Sequence, residues 1–196
     1  MAYPADITIE LAIKDRDRLT TFFRIFLAIP HLILVGGTGI GAQGGLFGMV
    51  AGFLAFVNWV VIVLTGNDVG GIREFMLMFM RWRTRALAYV MLFRDEYPPF
   101  GDDAYPASFA FTEPAGPRDR LTVFFRFFLV LPHAILLFFI SIAWGFSTVL
   151  AWFMIVFIGE YPDGLLRFGV GALRWETRVQ AYFLLLTDEY PPFSLE

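Results

Sequence analysis

Few side chains in this sequence can do chemistry. His31 and His133 each follow a proline (Pro30, Pro132) and stand seven residues beyond an arginine, Arg24 and Arg126. Thr20, Arg24 and His31 share one helix face at that spacing. Two equivalent imidazoles between helices are what a bis-histidine b-type haem needs. The plainer alternative is a histidine hydrogen-bonded to backbone that the proline frees. With one His per half and no supporting polar pattern, the plainer reading is preferred and no cofactor is expected. Asp95-Glu96 and Asp188-Glu189 are sequence neighbours, so their carboxylates point apart and make no general acid–base pair. Their expected task is to follow a helix and pair with arginine.

A second candidate is the Arg-Trp-x-Thr-Arg motif, which sets Arg81 and Arg85, and again Arg174 and Arg178, four residues apart on one helix face. Such a pair suits a bidentate grip on a lipid phosphate or other anionic headgroup. The alternative is internal neutralisation by Asp95, Glu96, Asp188 and Glu189. Gly36, Gly37, Gly39, Gly41, Gly44 and Gly45 have the composition of a phosphate loop but lack the Gly-Lys-Ser/Thr ending, and read as a turn or a close helix contact. Asn58 is polar within an apolar run, but Ala151 aligns with it. The sequence has no Ser/His/Asp order, no HExxH and no metal-ligating cluster, so no catalytic residue and no metal are assigned.

These residues sit in a duplicated chain. Residues 16–34 (RDRLTTFFRIFLAIPHLIL) recur at 118–136 with 14 of 19 identical, and residues 81–100 recur at 174–193 with 13 of 20 identical. The offset falls from 102 to 93, so the second half is nine residues shorter between the blocks. The repeats are 1–100 and 105–196, joined by 101–104. Each opens on a short alternating stretch (Ile7, Ile9, Leu11, Ile13; more briefly Phe109, Phe111 before Pro114 and Pro117) that reads as a strand. An apolar region, a Gly/Asp turn and an Arg-bearing amphipathic helix follow, ended by paired prolines.

Composition places the chain against lipid. Of 196 residues 58% are hydrophobic and 17% charged, with 24 Phe, and the mean hydropathy is +0.64. A soluble domain averages about 25% charged residues, and one core of this size cannot hide so much apolar surface. A net charge of −3 gives no sign of nucleic acid as a partner. Fourteen Arg against the single Lys14 favour planar pairing with carboxylate or phosphate. No Cys is present, which removes disulfide and thiol chemistry. The first fifteen residues lack a signal-peptide pattern.

Residues 25–67 and 127–159 carry no Asp, Glu, Lys or Arg. A spanning helix needs about 20 residues, so the first window predicts a hairpin, 19–35 and 46–64 around a 36–45 turn. In the second half the apolar stretch 121–158 is tight for two crossings, with 141–147 as its only turn. The expected fold is therefore an all-α integral membrane protein: two tandem repeats, each a short strand, a transmembrane helical hairpin and an Arg-rich interfacial helix (72–93; 165–186). Trp82, Tyr89, Trp175 and Tyr182 are expected at headgroup level. The charge bias puts the Arg-rich face and both termini in the cytoplasm, and even crossing numbers put the pseudo-two-fold axis along the membrane normal.

The ending motif carries a resemblance. Tyr-Pro-Ala at 3–5, Pro30-His31, Pro132-His133, Gly-Glu-Tyr-Pro-Asp-Gly at 159–164 and the Leu-Arg-Trp…Thr-Asp-Glu-Tyr-Pro-Pro-Phe run at 173–193 resemble bacterial membrane proteins of domain-of-unknown-function family 4389. The first half departs from it at 65–71, where TGNDVGG replaces Gly-x-Tyr-Pro-x-Gly. The resemblance implies a small helical protein of the bacterial inner membrane, often in tandem copies, and carries over no activity and no catalytic residue. The expected function is non-enzymatic: an accessory or scaffold module, assembling with itself or a larger membrane complex, on anionic lipid. Alternatives are a transport component for small molecules or lipid, with substrate near His31 and His133, and a haem-binding subunit.

Overall fold

The computed structural model describes residues 3–39, 45–101, 103–113 and 116–196. Gly41, Gly44, Pro114 and residue 102 of the linker therefore lie outside the description. Strand β1 (Ala5–Ile9) opens the first half, followed by α1 (Arg18–Phe22), α2 (Arg24–Leu27), α3 (Ile29–Val35), α4 (Leu46–Thr65) and α5 (Gly70–Val90). The second half holds β2 (Ala107–Phe111), α6 (Arg120–Phe124), α7 (Arg126–Ile158) and α8 (Asp163–Phe183). α4 and α7 are both long and apolar enough to cross a membrane.

Local chemistry repeats with the sequence. The Asp17 carboxylate accepts from the amides of Leu19 and Thr20, and Asp119 does the same for Leu121 and Thr122, so each half starts its helices on an Asp cap. Both Arg-bearing helices stop before the lengths the sequence predicts. Leu92 and Leu185 take left-handed φ of 64° and 63°, and the Phe93 and Leu186 amides reach back to the carbonyls of Ala88 and Ala181 at 2.9 and 3.0 Å. That closure satisfies the terminal carbonyls and turns the chain into the Asp-Glu-Tyr-Pro-Pro loop.

The expected helical hairpins do not form. α7 is one unbroken helix of 33 residues with Pro132 inside it, and residues 141–147 do not turn. Ser141 and Ser147 instead bond back to carbonyls of their own helix, Phe138 and Trp144, both at 2.8 Å, which leaves nothing to break the i→i−4 ladder. The first half follows the same course. Its α2–α4 correspond to α7 with nine residues inserted after Val35, and the chain returns to where it left. An added Cβ at Gly45 would lie 2.4 Å from the Gly36 amide nitrogen and 2.7 Å from the Leu34 carbonyl. Since α4 packs on α5 and α6, and α1 on α7 rather than alongside α4, α3 and α4 are two pieces of one interrupted helix, both facing α5. His31 lies against Trp82 of α5, as do Phe47 of α4, at 5.3 Å between ring centroids, and Phe100 of the loop after α5.

The two halves exchange elements. β1 and β2 form an antiparallel pair with Ile7 opposite Phe109, so the fold is mostly helical rather than all-α. β1 packs on α8 of the other half and β2 on α5. The long helices run antiparallel. At one end the Arg16 amide donates to the Gly159 carbonyl at 3.0 Å and Arg18 to Ile158 at 2.9 Å. At the other end Arg120 donates to the carbonyls of Val63 and Leu64. Three layers result: the long helices, then α5 and α8, then the two-stranded sheet. α5 and α8 supply the core, and Tyr89, Trp175 and Tyr182 are buried in it. The expected headgroup position of those aromatics is corrected by their packing, because α8 and the second half of α5 are covered on nearly all sides.

Candidate functional site

The charged residues with candidate roles close on each other in symmetric clusters. Asp95 accepts from Arg16 Nε and Nη2 at 2.8 and 2.7 Å and from Arg24 Nη2 at 2.7 Å. Asp188 does the same for Arg118 at 2.9 and 2.6 Å and for Arg126 at 2.5 Å. Arg24 and Arg126 also donate to carbonyls at the ends of α5 and α8, and each guanidinium lies 3.9 Å from the ring centroid of Tyr89 or Tyr182. Burial alone would raise the Asp95 carboxyl. The Arg16 hydrogen bonds and charge, the Asp17 amide and Arg24 outweigh it and hold the group below the usual carboxylate range, and Asp188 follows suit with Arg118, Asp119 and Arg126. Asp95 and Asp188 pair with arginine, as expected, but with the arginines before and at the start of the helices that lead each half, while Glu96 pairs with Arg94 beside it.

The rest of that loop encloses the histidines. His31 and His133 are both fully buried. Trp82 Nε1 donates to His31 Nδ1 and Trp175 Nε1 to His133 Nδ1, each at 3.1 Å. An acceptor Nδ1 fixes a neutral ring with its proton on Nε2. Phe100 stacks on His31 at 4.5 Å and Phe193 on His133 at 3.9 Å, with Tyr97 and Tyr190 at the side. Pro-His, Arg-Trp and Tyr-Pro-Pro-Phe therefore build one aromatic box per half. Each imidazole faces only its own half's box, which favours a packing role over a shared haem position. Thr20, expected on the same face, lies outside the box and stays half-buried.

The motif arginines are divided. Asp6 of β1 takes Arg174 at 3.0 Å and Arg178 at 3.4 Å across the two halves, and Arg178 also reaches the Glu196 carbonyl. Against the first half's arginines Ser108 of β2 stands where Asp6 of β1 stands against the second half's. Arg85 donates to the Gly101 carbonyl, and an exposed Arg81 lines a cleft of about 390 Å³ with Arg85, Ser108 and Phe109. All four lie on the sheet side of the molecule, away from the long helices. Asn58 accepts from the amide of Val69, the residue before α5, at 3.0 Å.

Sequence reasoning passed over one pair. Arg83 and Glu176 occupy the same position of the duplicated motif (RWRTR, RWETR), and they bond to each other between α5 and α8 with side chains 4% and 5% exposed. Glu176 also accepts from the Gly39 amide at 2.7 Å, and Arg83 donates to the carbonyls of Gly37 and Gly39 at 3.0 and 3.1 Å. Two equivalent residues in mutual contact mark the pseudo-two-fold axis. The signal was the single charge reversal inside an otherwise repeated motif. Beside the pair a cavity of about 270 Å³ is lined by Glu176, Trp144, Ser141 and Thr38. Two symmetric apolar grooves, of about 390 and 270 Å³, run between α2–α3 and α7, and between α7 and α4. Among the described residues no group of acids and histidines is placed to hold a metal ion.

The model of a family described as a domain of unknown function (DUF4389) matches the chain twice, at residues 18–101 and 120–194. No curated protein and no solved structure matches it.

Proposed function

We propose that this chain, which belongs to the DUF4389 family by those two matches, is a non-enzymatic membrane module: a scaffold or accessory subunit of the bacterial inner membrane. One observation carries the reading. The large exposed apolar side chains are concentrated on the long helices and their leading turns, where Ile25, Phe146 and Phe157 are each more than 70% exposed. Water does not tolerate a continuous surface of that kind on a monomer. Most polar groups able to act on a substrate are meanwhile engaged: the buried arginines in ion pairs or on carbonyls, the histidines through Nδ1 inside aromatic boxes. Arg18 and Arg120, exposed beside Leu19 and Leu121, are the cations best placed to meet anionic headgroups. The partners are lipid and either a second copy or a larger membrane complex, with both termini in the cytoplasm.

The test is fractionation followed by crosslinking in native membranes. The chain should stay with the membrane through high salt and carbonate and crosslink to itself or to a complex. Recovery in the soluble fraction overturns the membrane reading. Recovery only as free monomer in the membrane overturns the scaffold reading.

A further inference from the structure

We infer that the long helices lie in one leaflet, flat along the membrane surface, with the sheet facing water, rather than crossing the bilayer. The inference rests on the membrane reading above and adds its orientation. The occupant of the exposed apolar face is the acyl region of a single leaflet.

Length speaks first. α7 has 33 residues and is about 50 Å long at 1.5 Å per residue. A hydrocarbon core of about 30 Å would be matched only by a tilt near 50°, beyond the roughly 0–40° that transmembrane helices show. Exposed apolar side chains continue over its whole length, from Phe127 through Phe139 and Phe146 to Ile158. A crossing helix would show polar ends instead.

The opposite face decides the matter. The sheet packs against α5 and α8 at mid-length, beside Arg81, Arg85, Arg174 and Arg178. It has two strands and open edges; Thr8 is exposed on it and Glu10 just past the end of its first strand. If the long helices crossed the bilayer, these open edges and charges would sit at hydrocarbon depth. Lipid-exposed sheet edges do not occur there, and charged side chains at mid-bilayer are strongly disfavoured. Laid flat, the molecule meets neither cost. The apolar side chains reach roughly 5–10 Å into the leaflet, the α5–α8 layer lies above them, and the sheet is in water. The pseudo-two-fold axis through Arg83 and Glu176 then stands along the membrane normal, relating two antiparallel in-plane helices.

The chain has no Cys, so single cysteines report position directly. Glu160→Cys marks the end of α7, Glu189→Cys the loop beside its start, Thr8→Cys the outer side of the sheet and Phe146→Cys the apolar face. Each is treated with a membrane-impermeant maleimide in sealed right-side-out and inverted inner-membrane vesicles. The first three should label in the same vesicle orientation only, and Phe146→Cys in neither, while a lipid-soluble maleimide labels it. Glu160→Cys and Glu189→Cys labelling in opposite orientations would show a crossing helix and overturn the inference while leaving the membrane reading intact. Free labelling of Phe146→Cys by the impermeant reagent would show that no lipid covers the face, and both readings would fall.

Discussion

Arg83→Met and Glu176→Met, separately and together, probe the pair at the centre of the molecule. The two side chains are almost fully buried and bond directly. Removing one partner leaves an uncompensated buried charge, which costs about 3–5 kcal/mol. The local bonds rank the two variants. Glu176→Met leaves Arg83 with the Gly37 and Gly39 carbonyls, so it belongs near the lower end, about 3 kcal/mol. Arg83→Met leaves the Glu176 carboxylate with the Gly39 amide as its one remaining described partner and belongs near the upper end. The double variant exchanges a buried ion pair for two flexible apolar side chains and should come within about 1–2 kcal/mol of the parent. The assay is unfolding of purified protein in mild detergent by SDS titration, followed by tryptophan fluorescence. The reasoning is refuted if each single variant costs less than about 1 kcal/mol, or if the double variant costs as much as the singles combined.

Asp95→Asn and Asp188→Asn should each lose about 2–3 kcal/mol in the same assay, because two arginines lose their anion at once. Equal stability of either variant and the parent would show the clusters to be incidental. The depressed carboxyl pKa values imply a pH response of defined sign: the clusters stabilise fully above the unfolded carboxylate value of about 3.9 and weaken as pH falls below it toward the folded value. A melting temperature flat from pH 8 to 5 and falling below about 4 is expected, and a fall already at pH 6 would point elsewhere. Trp175→Phe removes the donor to a fully buried His133 Nδ1 and should cost about 1–3 kcal/mol, with Trp82→Phe alike at His31. Gly45→Ala places a Cβ into the Leu34–Gly36 backbone and should lower the melting temperature sharply. Gly145→Ala, in open space within α7, should raise stability by roughly 0.5–1 kcal/mol.

The repeats, the Arg-bearing helices and the arginine partnership of Asp95 and Asp188 were all legible in residue order, since they depend on short-range patterns. The long helix was not. Glycines at 36–45 and Ser141 to Ser147 read as turns by composition, yet serine can bond within its own helix and Gly145 meets nothing that needs a break. The nine-residue offset held the answer: a half that does without those residues needs no turn there, and in the other half they are an insertion. Partnership across the halves was hidden for a different reason. Asp6 meets Arg174 and Arg178 from more than 160 positions away, and only the exchange of strands brings them together. Composition correctly demanded exposed apolar surface, but it is silent on whether that surface wraps a span or forms a floor.

The charge pair on the axis also dates itself. Were two identical single-repeat chains to form this architecture, the residue on the axis would face its own copy, arginine against arginine or glutamate against glutamate. Neither is tolerable at 4–5% exposure without a counter-charge. Only once the two copies were separate stretches of sequence could the position change in one and not the other. Arg83 opposite Glu176 is therefore a product of divergence after duplication. The two halves have become a lock and its key: with its present residue, either half would meet a like buried charge in a copy of itself.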